Sequence, residues 1–267
     1  EDTFIDTVAR ELQRVALEEE QARNVKINLY ITDGKESQTT QNEQVDRFLE
    51  RGYDVICVNI VDRTAAAVII DKAQAAGVPV IFFNREPVEE DLRRWQHTYY
   101  IGLPAGDAGV LQGELVLDAW QSRRNELDRN GDGVLQYVLL QGNVAQQNAI
   151  YRTAAINELF EGWAADGTMK TEQLDIQDGN WSSDKGKDVM DAWNVKFGDE
   201  IEAVLCNNDT MAMGAIESLK TAGAFDAGNG PIVYGINGIP DVWEMIEDGY
   251  MAGTVLTSPY REAKIII

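Results

Sequence analysis

Apolar positions recur along the chain with two different periods. A spacing of three to four residues predicts helices, and several of these patterns end at a glycine suited to a left-handed cap. Short runs rich in β-branched and aromatic residues lie between them and predict strands. The predicted helices cover residues 4–20, 41–52, 65–77, 107–120, 150–167, 210–223 and 240–249, and the predicted strands are VKINLYI, DVICVNI, VPVIFF, YVLLQG, EAVLCN, PIVYGI and AGTVL. This alternation predicts an α/β fold with parallel sheets covered on both faces.

Part of the pattern occurs twice. VICVN, which ends at Asn59, resembles VLCNN, which ends at Asn208. GVPVIFFNREP resembles GPIVYGINGIP at nearly the same offset and aligns Asn84 with Asn237. We interpret this as two similar Rossmann-like lobes joined by a hinge, with chance similarity between apolar strands as the alternative. The expected N-terminal lobe comprises residues 1–103 and 259–267, and the C-terminal lobe residues 104–258.

The first and last residues interrupt this alternation. A helix opens the sequence without the strand that a βα unit places before it, and YREAKIII stops inside an apparent helix. We therefore expect an N-terminal lobe that is incomplete in a trimmed sequence.

Three asparagines follow predicted strands directly. In parallel α/β sheets, ligands bind beyond the carboxyl ends of the strands, where Asn84, Asn208 and Asn237 would lie. Two lobes would enclose a ligand in a cleft by hinge closure.

Charge narrows the range of partners. The 23 basic and 45 acidic residues give a formal charge of −22, which repels nucleic acid and anionic membranes and is compatible with calcium or neutral ligands. A solvated acidic surface is the simpler interpretation. Cys57 and Cys206 lie in apolar strand-like runs and are expected to be buried free thiols, and His97 is expected at the surface.

The loop DRNGDGVLQ carries oxygen ligands with the spacing of an EF-hand. Asp128, Asn130, Asp132, Val134 and Gln136 match its positions 1, 3, 5, 7 and 9, but position 12 is Leu139 instead of the bidentate glutamate. A carboxylate from elsewhere in the chain is therefore needed for calcium. The alternative is an ordinary Asp/Asn/Gly turn before a strand.

This loop, followed by a strand, occurs together with VPVIFFNREP, IEAVLCNNDTMAMGAIESLK and AGTVL. Together these segments resemble the periplasmic galactose/glucose-binding protein family of type I solute-binding proteins, and the resemblance covers essentially the whole chain. It implies a two-lobed fold and a structural calcium site. The missing carboxylate of that site would come from Glu202.

The resemblance also implies a sugar site. A pyranose needs aromatic rings on its faces and planar polar groups around its rim. Phe4 and Trp181 match the stacking positions, with core packing as the alternative for each. The residues that keep the family's types at the rim are Asp2, Asn84, Arg152 and Asn208, for which helix capping (Asp2) or a solvated charge (Arg152) is the alternative. Asp209, beside Asn208, is expected to cap the helix that follows.

Four rim positions depart from the family. Gln146 replaces a histidine, Asn148 and Asn237 replace aspartates, and Thr257 replaces an asparagine. Hydrogen bonds to charged acceptors contribute about 1.5–3 kcal/mol against about 0.5–1.5 kcal/mol for neutral ones, so these changes are expected to weaken or redirect binding. Galactose or glucose is therefore the default ligand, and another sugar or polyol is an alternative.

No enzymatic motif accompanies these residues. The sequence has no phosphate loop, no Cys/His metal cluster and no evident acid and nucleophile pair for glycoside hydrolysis, so we predict a non-enzyme. The resemblance implies an extracytoplasmic, monomeric receptor that delivers a sugar to the membrane permease of an ABC transporter, with a chemoreceptor as a further candidate partner. The alternatives are a sensor domain of a signalling protein and the effector domain of a LacI-type regulator, which would need a helix-turn-helix that is not present in this sequence.

Overall fold

The computed structural model describes residues 3–226, 228 and 230–267. The helices are α1 (Thr3–Arg23), α2 (Gln38–Arg51), α3 (Ala66–Ala76), α4 (Glu89–Leu92), α5 (Ala105–Leu127), α6 (Gln147–Asp166), α7 (Ser183–Lys196), α8 (Asp209–Thr221), α9 (Trp243–Glu247) and α10 (Pro259–Ile266). The strands are β1 (Ile56–Val58), β2 (Val80–Phe83), β3 (Thr98–Ile101), β4 (Leu135–Gln141), β5 (Thr171–Asp178), β6 (Ala203–Cys206), β7 (Ile232–Asn237) and β8 (Gly253–Leu256).

The chain divides into two compact units. One comprises Ile5–Leu103 and Ser258–Ile267, and we call it the N-terminal unit. The other comprises Pro104–Thr257 together with Thr3 and Phe4, and we call it the C-terminal unit. Helix α1 therefore begins in one unit and continues in the other.

The N-terminal unit contains a three-stranded parallel sheet in the order β1-β2-β3. One face is closed by apolar residues of α2 and α3, because Ile56, Val58, Val80 and Phe82 alternate toward those helices. Cys57 points to the opposite face and is exposed, so the prediction of a buried thiol is wrong at this position. Cys206 is buried, as predicted.

The C-terminal unit contains a five-stranded parallel sheet in the order β5-β4-β6-β7-β8. Strand β4 is buried on both faces: Val138 and Leu140 pack on the side of α7 and α8, and Leu135, Tyr137 and Leu139 on the side of α5 and α6. This double burial is what the near-continuous apolar run of the sequence predicts for a central parallel strand.

Several elements differ from the sequence prediction. The prediction of a strand at VKINLYI is wrong, since residues 25–31 form no strand and Tyr30 and Ile31 are exposed. No described strand pairs with this segment, and an unpaired strand is not stable. The run 240–249 forms a 3₁₀ turn and the short α9 instead of one helix. Four elements carry too few apolar residues or are too short to be recognised, namely α4, α7, β3 and β5.

The internal repeat corresponds to equivalent strand pairs. Strand β1 pairs in parallel with β2, and β6 pairs in parallel with β7, each pair within its own unit. The repeated asparagines follow or end the second strand of each pair, and both have positive φ, 57° at Asn84 and 128° at Asn237. Asn84 is in the left-handed region, which asparagine tolerates better than most residues, whereas Asn237 lies outside that region. The repeat therefore preserves the pair of strands and an asparagine with positive φ, but not one turn conformation.

Candidate functional site

The candidate sugar residues of the C-terminal unit gather at the carboxyl edge of its sheet. Trp181 follows β5, Asn208 follows β6, Asn237 ends β7 and Thr257 follows β8. Three more lie at or near the start of α6, which follows β4: Gln146, Asn148 and Arg152. Parallel strands end at one edge, so five separate sequence segments contribute to one region.

Trp181 is the best-defined member of this set. Its indole Nε1 donates to Gln146 Oε1 at 2.8 Å, and the Arg152 guanidinium lies 5.8 Å from its ring centroid. Asn180 and Trp181 both have positive φ, 48° and 61°, which is a strained conformation for a bulky residue. Strain of this kind persists where the surroundings hold it in place, and it is concentrated at functional sites.

A glycine creates the space that Trp181 fills. A Cβ built on Gly142, just after β4, would lie 2.1 Å from Trp181 Cζ2. The neighbouring loops are also linked, since Asn143 Nδ2 donates to Asn180 Oδ1 at 2.9 Å. Residue 142 must therefore lack a side chain for the indole to cover the end of β4.

Arg152 is positioned by the turn after β6. Its side chain is buried and its Nη1 donates to the carbonyl of Asn207. The side-chain Oδ1 of Asn207 accepts from the Gly142 N–H at 3.1 Å and from Thr153 Oγ1 at 3.2 Å. These bonds connect the ends of β4 and β6 to the helix that carries Arg152.

Asn208 is the N-cap of α8, where its Oδ1 accepts from the Met211 N–H at 2.9 Å. The expectation that Asp209 caps this helix is therefore wrong. Asp209 instead holds the turn that follows β7: it is fully buried, its Oδ2 accepts from the Ile239 N–H at 2.9 Å and its Oδ1 from Thr254 Oγ1 at 2.6 Å. Burial raises the pKa of this carboxyl above its ordinary value, while these donors oppose the rise.

Asn237 and Thr257 meet at the same edge. Asn237 Nδ2 donates to Thr257 Oγ1 at 2.9 Å, and both side chains are buried. The two departures from the family's residue types at β7 and β8 are therefore in direct contact with each other.

Asn84 occupies the corresponding edge of the N-terminal unit. Its N–H is shared between the Ile101 carbonyl at 3.1 Å and Glu262 Oε1 at 3.0 Å. Its Nδ2 donates to Asn59 Oδ1 at 3.2 Å, and its carbonyl accepts from Tyr100 Oη at 3.1 Å. Burial raises the pKa of the Glu262 carboxyl to about 7, against which the Asn84 N–H acts.

The other two predicted sugar residues are less informative. Phe4 is buried near the start of α1 and belongs to the C-terminal unit. Asp2 lies outside the described residues.

The candidate calcium loop is folded back on itself around its glycines. Asp128 Oδ2 accepts from the Gly133 N–H at 3.0 Å, and Asp132 Oδ1 accepts from the Val134 N–H at 2.8 Å. Gln136 Oε1 accepts from Asn130 Nδ2 at 3.2 Å. Gly131 and Gly133 have φ of 75° and 80°, which permits the tight turn.

Glu202 lies against this loop although it is far away in sequence. It is buried; its Oε1 accepts from the Arg129 N–H at 2.7 Å and its Oε2 from the Gln136 N–H at 3.1 Å. Burial raises the pKa of the Glu202 carboxyl, and the nearby charge of Asp128 raises it further. Asp128 Oδ1 is buried and receives no hydrogen bond from the residues that the structure describes.

The acidic side chains alone do not make a metal site. Across residues 3–226, 228 and 230–267, no three His, Cys, Asp or Glu side chains are grouped so that they could hold a metal ion. The candidate ligands of the loop also include amide oxygens and a main-chain carbonyl. A hard cation such as calcium accepts these oxygens, and the buried Asp128 Oδ1 next to Glu202 fits such a cation.

Comparison with known proteins shows the family. The periplasmic binding protein domain matches residues 1–267, and the chain belongs to this family. It is 36% identical over 242 residues to the D-galactose/methyl-galactoside binding periplasmic protein MglB of Haemophilus influenzae. This alignment covers 90% of this chain and 70% of that protein. It is 34% identical over 197 residues to a putative rhizopine-binding protein of Rhizobium meliloti, covering 74% of this chain and 59% of that protein.

A solved structure gives the same result for the fold. An ABC transporter solute binding protein from Bacillus halodurans with bound myo-inositol superposes with a TM-score of 0.80 at 26% identity, covering 99% of this chain and 82% of that one. These comparisons confirm the predicted family and the α/β fold with parallel sheets. They also place the chain among substrate-binding proteins and not among enzymes, as the sequence predicts.

Sequence reasoning missed several residues of these edges. Asn207 was overlooked beside Asn208, although both follow the buried strand β6 directly. The sequence identifies Gly142 only as the last residue of the predicted strand YVLLQG, with no sign that an aromatic ring packs on it. Glu262 and Asp209 act on turns that are distant in sequence, and no local pattern indicates such a contact.

Proposed function

We propose that this protein is an extracytoplasmic receptor for a monosaccharide or a related polyol. The observation that carries the proposal is the indole of Trp181, held in a strained conformation over Gly142 and next to Gln146 and Arg152. An aromatic face beside planar hydrogen-bonding groups is what a ring with apolar faces and a hydroxyl rim requires. Membership of the periplasmic binding protein family supports this use of the edge.

Galactose or glucose is the default ligand in this proposal, and the name of the Haemophilus influenzae relative, which refers to D-galactose and methyl-galactoside, supports galactose. The amides Asn148 and Asn237 both donate and accept, whereas the carboxylates that they replace in the family only accept. They therefore satisfy a different set of hydroxyl orientations, and polyols such as the myo-inositol bound to the structural relative are included in the proposal.

Calorimetry with a panel of ligands tests this proposal. D-galactose, D-glucose, D-ribose, D-xylose, D-allose, L-arabinose, xylitol and myo-inositol would each be titrated into the wild type and into Trp181→Ala. We expect saturable heat with at least one ligand and a loss of about tenfold or more in affinity in the variant. Absence of heat with the whole panel would refute the monosaccharide and polyol assignment.

We also propose that the sugar is delivered to the membrane permease of an ABC transporter, and that the receptor is monomeric and located outside the cytoplasm. Among the described residues, no helix has the length and apolar character needed to cross a membrane. A contact with a chemoreceptor is a further part of this proposal. We expect the sugar-loaded receptor to stimulate the ATPase activity of the cognate transporter. We also expect the receptor to sediment at the mass of one chain.

We further propose that the loop 128–136 and Glu202 bind calcium. Bound calcium would engage Asp128, Asn130, Asp132, Gln136, Glu202 and the carbonyl of Val134, and it would tie the loop to the start of β6. Extracellular modules bind calcium with Kd of about 10⁻⁴–10⁻³ M, so about 10 mM calcium would stabilise the fold by roughly 1.4–2.7 kcal/mol.

Thermal unfolding with and without calcium tests the metal proposal. We expect Tm to rise by roughly 3–10 °C in the wild type and much less in Glu202→Gln and Asp132→Asn. Glu200→Gln is the matched control, because Glu200 is exposed and lies two residues before Glu202. An equal rise in all four proteins, or no rise in the wild type, would contradict the proposal.

A further inference from the structure

Asn84 is held by side chains from three other segments of the N-terminal unit. Asn59 follows β1, Tyr100 lies in β3 and Glu262 lies in α10, and each makes a hydrogen bond to a different group of Asn84. Glu262 is the only one of the three that can ionise near neutral pH. Its Oε1 is 3.0 Å from the Asn84 nitrogen, across 178 residues of sequence.

The Asn84 backbone depends on outside support. Its φ of 57° is the left-handed conformation, which side-chain-bearing residues adopt at a cost, and the next nitrogen, that of Arg85, already bonds back to the Phe83 carbonyl. The Asn84 N–H is shared between the Ile101 carbonyl and Glu262. A hydrogen bond to an ionised acceptor is shorter and stronger than one to a neutral acceptor, so the charge on Glu262 changes the strength of this support.

We propose that Glu262 is a positioning residue for Asn84, and that gain or loss of its proton sets how firmly the Asn84 turn is held near neutral pH. The part that concerns sugar affinity rests on the proposed function of Asn84. The geometric part, a carboxyl group that controls a distant turn, does not.

The surroundings of Glu262 allow it to titrate in this range. Burial raises its pKa to about 7, and the Asn84 N–H is the group that opposes this rise. Nearby charges are engaged elsewhere: Lys264 of α10 pairs with Glu19 of α1, and Arg85 Nη1 donates to the Ile60 carbonyl at 3.5 Å. Tyr100 donates its hydroxyl to the Asn84 carbonyl.

Two other titratable groups belong to the loops and strands around Asn84. Glu86 lies two residues along the same loop. His97 immediately precedes β3, at the opposite end of that strand from Ile101, which shares the Asn84 N–H. Both can be tested separately from Glu262.

Amide NMR of the full chain tests the geometric part without any ligand. The probe is the ¹H–¹⁵N resonance of Asn84 between pH 5.5 and 8.5. In the wild type we expect its proton to move downfield with rising pH, with a midpoint near 7 that matches the titration of the Glu262 side-chain ¹³C resonance. Glu262→Gln keeps the shape and an acceptor oxygen but cannot ionise, so this titration should disappear.

Two control variants exclude the neighbouring groups. Glu86→Gln and His97→Gln should both keep the Asn84 titration. Persistence of the titration in Glu262→Gln, or an Asn84 resonance that does not change with pH in the wild type, would overturn the proposal. The wild-type ¹³C measurement decides the question even if the Gln variant fails to fold, because a Glu262 midpoint unrelated to that of Asn84 also overturns it.

Calorimetry at pH 6 and pH 8 tests the sugar part, with whichever ligand of the panel binds. We expect the wild-type affinity to fall by about threefold to tenfold at pH 6, the range expected when a charge-assisted hydrogen bond becomes neutral, and to be constant in Glu262→Gln. Equal affinities at both pH values, with the Asn84 amide still titrating, would overturn the sugar part alone. If no ligand binds, the proposed function fails while the NMR result still decides the role of Glu262.

Discussion

The carboxyl edges of the two sheets each carry an asparagine and a carboxyl group in different chemical surroundings. Each asparagine has a positive φ at the end of a repeated strand. A carboxyl group accepts a backbone N–H at each edge: the partly buried Glu262 from Asn84, and the fully buried Asp209 from Ile239 in the turn after Asn237. Asp209 is fully buried and receives a hydroxyl as well as backbone N–H groups. Among the described residues, the Asn84 N–H is the donor that lowers the pKa of Glu262.

This difference shows that a repeated sequence motif does not imply a repeated electrostatic environment. A carboxylate with several donors can remain ionised in the interior, because hydrogen bonds to the charged form compensate for the loss of water. A carboxyl group with one donor is poorly compensated, and its proton is retained to higher pH. Burial raises the pKa of both carboxyl groups, but more groups oppose the rise at Asp209 than at Glu262. We therefore expect the support at Asn84 to respond to pH, and we call the Asp209 edge the fixed support because more donors hold it.

The largest expected effect concerns the fixed support. Asp209→Asn places an amide NH₂ among groups that donate hydrogen bonds, so a buried donor loses its acceptor. We expect the free energy of unfolding, measured with urea at pH 7, to fall by about 2–4 kcal/mol. Asp241→Asn, an exposed aspartate in the turn that precedes α9, should change it by less than about 0.5 kcal/mol. A loss below about 1 kcal/mol for Asp209→Asn would mean that the two edges do not differ as described.

The second effect concerns the pH-responsive support at Asn84, where loss of the carboxyl group is expected to stabilise the protein instead of destabilising it. The pKa of Glu262 is raised from an ordinary value near 4.5 to about 7, so between these pH values the unfolded chain has released the proton and the folded chain has kept it. Ionisation therefore favours the unfolded chain: stability is lost as pH rises from about 4.5 to about 7 and is then constant.

Glu262→Gln removes this dependence. Between pH 4.5 and pH 8 the free energy of unfolding of the wild type should fall relative to that of the variant by on the order of 1–2 kcal/mol. This figure allows for partial solvent screening of the carboxyl group. Urea unfolding of both proteins at four pH values measures the difference. Parallel curves for the two proteins would place the pKa of Glu262 in its ordinary range and remove the contrast between the edges.

The third effect concerns the aromatic ring at the edge of the C-terminal unit. Gly142→Ala would place a methyl group 2.1 Å from the Trp181 ring, so the indole must move away from the end of β4. We expect about a tenfold loss of affinity for the ligand that binds, together with a changed near-UV circular dichroism spectrum. Gly162→Ala in α6 is the control, because nothing lies within 4 Å of the added methyl group, and both properties should be unchanged.

The sequence predicts strands that carry their own apolar pattern better than strands that depend on pairing with a distant segment. The apolar and β-branched runs predicted β1, β2, β4, β6, β7 and β8. The signal comes from burial in β4, β6 and β7, whose residues are almost all buried, whereas the edge strands β1 and β8 are only partly buried. It failed for VKINLYI, whose composition is that of a strand but which has no partner in the described sheets. It also missed β5, a polar edge strand whose stability comes from pairing with β4 and not from its own composition.

The candidate site shows the same division. Asn84, Asn208 and Asn237 could be placed from the ends of strands alone, whereas Thr257 came from the family resemblance. The supports of these residues could not, since the contact of Glu262 with Asn84 and that of Asp209 with Thr254 join segments that no periodicity relates. Gly142 and Trp181 are likewise separated in sequence, and their mutual dependence becomes visible only when β4 and β5 are seen as neighbours.

The bond from the Trp181 indole to Gln146 restricts how that glutamine can meet a guest molecule. An indole N–H can only donate, so the end of the Gln146 amide that meets the indole is its oxygen. The other end of that amide carries two N–H donors and no acceptor. A sugar oxygen that bonds to this end must therefore offer a lone pair rather than a proton, which gives this part of the edge a fixed polarity.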